Sequence, residues 1–182
     1  NITVYGNTVN NSATGIAVSG QNFTVYNNQI TGDSQSIGLS AFSMNNKTGE
    51  VFNNTISFTD ISVGIRIADN VYAHDNRINI AGYGIGMYLS GNNATAYKNT
   101  IKNNHDAGIS IMGSFNNVDY NIVTTNNIGI SIPAQSSGLR YYSNKITQNR
   151  IISDSYGISI SGLVYNTTML DNIIETNASV GI

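Results

Sequence analysis

The chain has 182 residues, of which 40% are hydrophobic and 10% charged, for a net charge of −2; an average soluble domain carries roughly 25% charged residues. So few cations exclude the basic footprint that nucleic acid calls for and a grip on an anionic membrane surface, and no apolar run approaches the roughly 18 residues of a membrane-inserted span. Without cysteine there is neither a disulfide framework nor a thiol-based site.

The first predicted elements are a strand carrying Val4, a bend at Asn7 and a strand carrying Val9, after which Gly15 opens a third strand with Ile16 and Val18 on one face. The cycle then repeats as Val25, Asn28, Ile30 and Gly38, and as Val51, Asn54, Ile56 and Gly64. It continues through Ala73, Asn76, Ile78 and Gly84, then Ala96, Asn99, Ile101 and Gly108, then Val118, Asn121, Val123 and Gly129. Tyr141, Asn144, Ile146 and Gly157 form the seventh round, and Met169, Asn172, Ile174 and Gly181 the eighth. Both markers recur every 20 to 28 residues, and a fixed period in this range means a solenoid.

After each glycine the apolar residues alternate with small polar ones, as in Ile109/Ile111 and Ile130/Ile132; period 2 is the strand signature. No Asn-Gly dipeptide occurs among 29 Asn and 18 Gly, so the strongest hairpin signal is missing and parallel coiling is favoured. The prediction is an all-β parallel solenoid of about eight coils, one continuous domain over residues 1–182 and about 38 Å long at the inter-strand spacing. Asn7, Asn28, Asn54, Asn76, Asn99, Asn121, Asn144 and Asn172 are each expected to take the left-handed bend conformation and to stack their amides as a ladder. The marker glycines are expected either at φ > 0 or against a neighbouring backbone. Pro133 is expected just after a strand, where a missing N–H costs least.

The stretches Phe23 to Ile30 (FTVYNNQI), Thr95 to Ile101 (TAYKNTI), Gly15 to Gly20 (GIAVSG) and Gly157 to Gly162 (GISISG) resemble the right-handed parallel β-helix of the pectate-lyase-like superfamily, in the repeat-rich form of archaeal and bacterial surface-layer and adhesin-like proteins. The resemblance covers the whole chain. It implies the fold more than the function, since that superfamily includes polysaccharide lyases, hydrolases, epimerases, phage tailspikes and adhesins. It also implies that any chemistry sits on the outward face of the Gly-Ile strands. There the expected row is Ala17, Ser40, Arg66, Gly86, Ser110, Ser131 and Ser159, and the next is Ser19, Phe42, Ala68, Tyr88, Met112, Pro133 and Ser161. Neither contains a carboxylate, whereas proton transfer at a sugar needs paired ionisable groups. Arg66 with Tyr88 is the nearest approach to a lyase-like pair, with Asp69 in the adjacent turn, and the reading is that the chain is not an enzyme.

His74 and Asp75 are expected on opposite faces of a strand, unable to pair, with Asp75 beside Lys98 of the next coil as an exposed ion pair. His105-Asp106 falls in a loop. No metal site and no cofactor are expected, because each coil supplies at most two ligand-type side chains. Two residues before the bend Asn stand Tyr5, Tyr26, Phe52, His74, Tyr97, Asp119, Tyr142 and Leu170. Tyr5, Tyr26, Phe52, Tyr97 and Tyr142 form an outward aromatic column, read as coil-to-coil stacking of roughly 0.5–1.5 kcal/mol per pair, as a lateral protein contact, or as a glycan strip.

Asn-x-Ser/Thr triplets occur at Asn1, Asn10, Asn22, Asn46, Asn53, Asn93, Asn166 and Asn177. Composition alone yields about six, so they permit glycosylation without indicating it. Asn1 to Val4 opens inside a strand and Val180 to Ile182 closes inside one, which reads as a slice of a longer chain and predicts end-to-end as well as lateral self-association. The expected role is an extracellular structural or adhesin-like rod of a cell-surface layer or filament. A carbohydrate-active lyase or hydrolase, or a tailspike-type polysaccharide binder, is the alternative.

Overall fold

The computed structural model describes residues 1–33, 36–60, 62–134, 138–177 and 181–182, so Val180 lies outside the described residues. Short strands wind into a parallel solenoid without a described helix, stacked into two sheets of eight strands and one of seven. Sheet A holds the strands that lead to the bend asparagines, such as Val71–His74 and Thr95–Tyr97; sheet B holds those that leave them, such as Arg77–Ile80 and Thr100–Asn103; sheet C holds the Gly-Ile strands, such as Ser62–Ala68 and Ala107–Ile111. Every pairing is between equivalent strands of successive coils and in parallel register, for example Val25 with Val51, Ile78 with Ile101 and Ile109 with Ile130. Each apolar column therefore runs straight down the interior, and Val25, Val51, Ala73, Ala96, Val118, Ile56, Ile65, Ile109 and Ile130 are fully buried.

The amide ladder runs between sheets A and B. Asn76 is typical: its Oδ1 accepts from the backbone N–H of Asn54 at 3.0 Å and from Asn54 Nδ2 at 3.0 Å, while its own Nδ2 faces Val51 O at 2.9 Å, His74 O at 3.0 Å and Asn99 Oδ1 at 3.0 Å. One side chain thus satisfies the backbone groups that a sharp bend leaves without strand partners. The same contacts link Asn7, Asn28, Asn54, Asn76, Asn99 and Asn121 in sequence.

The structure departs from expectation at three points. The ladder continues from Asn121 to Asn149 and then Asn172, not through Asn144. The seventh coil inserts an extra strand, Arg140–Tyr142, paired with Leu163–Tyr165 in a two-stranded sheet of its own, so that Lys145–Thr147 becomes the sheet A strand and Arg150–Ser153 the sheet B strand. Asn144 instead occupies the corner between sheets C and A, where its Oδ1 accepts from Asn116 N at 2.9 Å and Asn116 Oδ1 accepts from Ala94 N at 2.8 Å. Second, the left-handed residue is the one before each ladder Asn: Gly6, Asn27, Asn53, Asp75, Lys98, Tyr120, Gln148 and Asp171 have φ between 51° and 67°. Third, the stacked glycine of the fourth coil is Gly86 rather than Gly84, because Met87 pairs with Ile65.

The glycine column answers to close approach and not to φ > 0. A Cβ on Gly64 would lie 2.5 Å from the carbonyl oxygen of Gly86 and 2.5 Å from Ile78 Cγ2. Gly49 leaves the room that the buried Phe23 ring occupies. Pro133 directly follows the strand Ile128–Ile132.

Candidate functional site

The outward faces of sheets A, B and C carry whatever chemistry the rod offers. On sheet C the register pairs Ser40 with Arg66, Arg66 with Tyr88, and Tyr88 with Ser110. Tyr88 therefore belongs in the row with Arg66, a correction that follows from the Gly86 alignment. The Arg66 guanidinium lies 5.1 Å from the Phe42 ring and 5.5 Å from the Tyr88 ring, and Nε donates to Ser90 Oγ at 3.2 Å. The Tyr88 hydroxyl donates to Met112 Sδ at 2.7 Å. Burial first, and then Tyr88, raises the Tyr141 phenol above its ordinary value of 10.0. A guanidinium between two rings is held by cation–π attraction along the rod axis, and the remaining row is hydroxyl or methyl: Ala17, Ser40, Ser110, Ser131 and Ser159.

On sheet A the rings of Tyr5 and Tyr26 stack at 5.2 Å, Tyr26 and Phe52 at 5.1 Å, and Phe52 and His74 at 5.1 Å, with interplanar angles of 6°, 3° and 5°. Rings this parallel and this close cover one another's faces, so the column turns edges and hydroxyls outward. A sugar stacks on an open ring face, and along this stretch neighbouring rings occupy those faces. Tyr142 lies outside the column: it pairs with Tyr165 in the two-stranded extra sheet, its ring 5.3 Å from that of Tyr165, and Thr147 takes its expected place beside Asp119.

His74 and Asp75 do pair, contrary to the strand-alternation argument. Asp75 has φ 52°, so alternation ends at that residue and its carboxylate swings back to the imidazole. His74 Nδ1 lies 2.8 Å from Asp75 Oδ2, and Nε2 lies 3.1 Å from Glu50 Oε1 in the coil before. Lys98, at the same bend one coil on, places its ammonium 5.0 Å from the Tyr97 ring. A side-chain hydrogen bond with Tyr97 is the main cause of its raised pKa, and Asp75 is spent on His74. Beside this cluster the Tyr72 phenol is raised by burial first and then by Tyr97 and the Asp75 and Glu50 carboxylates. The loop histidine, His105, stacks on Tyr83 at 4.1 Å.

Sheet B holds a shallow cleft of about 390 Å³ lined by Thr55, Ser57, Arg77, Asn79, Thr100 and Lys102 along with the core residues Ile56 and Ile78. Among the described residues no group of three or more His, Cys, Asp or Glu is placed to hold a metal. Sequence reasoning missed Asn149, Asn116 and Asn103. Asn103 is buried and donates to Gly84 O at 2.6 Å and Ala107 O at 3.0 Å across the loop between sheets B and C. For Asn116 and Asn149 the signal was present, since both are followed two residues later by Val118 and Ile151. Acceptor triplets at Asn10, Asn22, Asn46, Asn53, Asn93, Asn166 and Asn177 all lie exposed.

The family model described as right handed beta helix region matches residues 1–128, more than half of the chain. The chain belongs to the right-handed β-helix family. Comparison with curated proteins and with solved structures gave no match. In a right-handed β-helix the sheet C row is one continuous outward strip, and in this chain that strip is built from hydroxyls with one guanidinium clamped between rings.

Proposed function

We propose that this β-helix is a structural, adhesin-like rod of an extracellular cell-surface layer or filament and not a catalyst. The observation that carries the reading is the state of Arg66. General acid–base chemistry needs ionisable groups free to meet a substrate at fixed separation. The one cation of the sheet C row has its guanidinium held by the Phe42 and Tyr88 rings and its Nε donating to Ser90. Hydroxyl and amide groups on the exterior bond along the rod in the same way: Thr31 donates to Asn10 at 2.6 Å and Thr147 to Asp119. Such side chains serve to join coils, which suits a stiff spacer. The test has two parts. Purified protein incubated with neutral and acidic polysaccharides, with and without calcium, should release neither unsaturated sugars nor new reducing ends. Antibody labelling of intact source cells should find the protein outside. Release of product that Arg66→Ala abolishes would establish the lyase reading instead.

A further inference from the structure

We propose that sheet A is a homodimer interface, through which two copies of this chain pair face to face with their rods antiparallel and a two-fold axis at the fifth coil. The proposal names the partner of the rod and rests on reading the chain as a structural one. An isologous interface must be self-complementary: what stands a given number of coils above the axis meets what stands the same number below it. With the axis along the strands, each outward column of sheet A meets itself in reverse order.

One column runs Thr3, Thr24, Glu50, Tyr72, Thr95, Asn117, Lys145 and Thr168. Its two charges are of opposite sign and lie two coils to either side of Thr95. A two-fold at Thr95 therefore sets Glu50 against Lys145 of the second copy, twice. In the neighbouring column His74 and Asp119 lie one coil to either side of Tyr97, so the same axis sets them opposite each other; both ring nitrogens of His74 are already held by Asp75 and Glu50, so the Glu50–Lys145 pair carries the charge match, with Tyr97 meeting its own copy at the centre. Tyr26 then meets the exposed Leu170.

Other registers lose this match. An axis one coil earlier puts Glu50 opposite Thr95 and Tyr26 opposite Asp119. An axis one coil later brings Asp119 against its own copy, a like-charge contact. Half-coil steps set Glu50 against Asn117 or Thr168. Lys145 is exposed, and among the described residues no carboxylate is within ion-pair distance of it; Glu50 gives only Oε1 to His74. The chosen axis has a like-charge contact too, since Lys98 at the bend on the margin meets its own copy, but each ammonium rests on the Tyr97 ring of its own chain. The face measures about 38 Å by about 10 Å, so the pair covers on the order of 800 Å² in plane, the size of a weak, transient interface. Its charges sit near solvent, and salt should loosen it.

Sedimentation equilibrium of the whole chain should show a concentration-dependent dimer that salt weakens. Lys145→Glu should weaken it about tenfold by opposing two carboxylates, and Glu50→Lys combined with Lys145→Glu should restore it. Because the chain has no cysteine, Thr95→Cys offers a single thiol at the axis. A bismaleimide about 10 Å long, matching the spacing of stacked sheets, should join two such chains. Thr24→Cys alone should not be joined, but mixed with Thr168→Cys it should be. A monomer at all concentrations, a double exchange no better than the single one, or self-joining of Thr24→Cys equal to that of Thr95→Cys would each overturn the proposal. A third occupant of the face, such as a glycan or a different protein, would leave the pure chain monomeric and count against it. A chain that shows charge-exchange rescue and also degrades polysaccharide would refute the rod and keep the dimer; a silent monomer would do the reverse.

Discussion

At the scale of single residues the bend divides its work between two positions. The ladder Asn supplies hydrogen bonds, while its predecessor supplies the left-handed turn. The chain uses Gly6, Asn27 and Asn53 at the turn position in the early coils, but Lys98, Tyr120 and Gln148 later. A non-glycine residue with a Cβ in this region costs roughly 1–2 kcal/mol, a cost that Asn tolerates best and Gly avoids. Gln148 has φ 55° and an exposed side chain. Gln148→Gly should therefore stabilise the protein by about 0.5–1 kcal/mol after the loss of chain entropy is counted; an unchanged or lower urea midpoint would show that the turn is unstrained. The ladder itself was legible from the repetition of Asn-x-(Ile/Val), but the division of labour was not, because Asn is suited both to bonding and to the left-handed turn. The His74–Asp75 pair was hidden for the same reason: strand alternation predicts opposite faces until the left-handed residue is located.

At the scale of the element, the strands were readable because their core columns are nearly pure Val, Ile and Ala. The seventh coil was misaligned by five residues, since Asn144-Lys145-Ile146 and Asn149-Arg150-Ile151 satisfy one pattern equally. What separates them is the extra strand Arg140–Tyr142, which pairs with Leu163–Tyr165, a long-range fact absent from local periodicity. The slip carried Tyr142 into an aromatic column to which it does not belong. The glycine column was legible as a repeat, and its physical cause can be tested. Gly64→Ala forces a Cβ to within 2.5 Å of the Gly86 carbonyl oxygen, backbone that cannot swing aside, and should cost about 2–3 kcal/mol by overpacking. Gly138 differs: it has φ 68° and nothing within 4 Å of an added Cβ, so Gly138→Asn should be nearly neutral while Gly64→Asn should not fold well. Equal thermal shifts for the two asparagine variants would remove the close-approach account.

At the scale of the whole molecule, each coil packs chiefly on its neighbours, so stability is close to a sum of coils and coil-to-coil interfaces. The fold and its family were readable because repetition is a global signal. The candidate site was readable only in part: Arg66 and Tyr88 were identified, but their adjacency depended on a two-residue choice between Gly84 and Gly86, and the sandwich with Phe42 depends on register. The claim on which the rod rests is that the amide column ties each coil to the next. Native-state hydrogen exchange on the chain and on Asn76→Ala tests it most directly. The backbone N–H groups of Asn28, Asn54, Asn76, Asn99 and Asn121 each donate to the amide oxygen of the following ladder Asn at 2.9–3.1 Å, and should be among the slowest to exchange. Asn76→Ala removes the acceptor of Asn54 N–H and leaves Val51 O and His74 O short of a donor, a loss of a few kcal/mol. Protection should then fall around Asn54 and Asn76 and persist near Asn121. Ladder amides that exchange as fast as the loops, or a variant with the same protection pattern as the parent, would contradict the account.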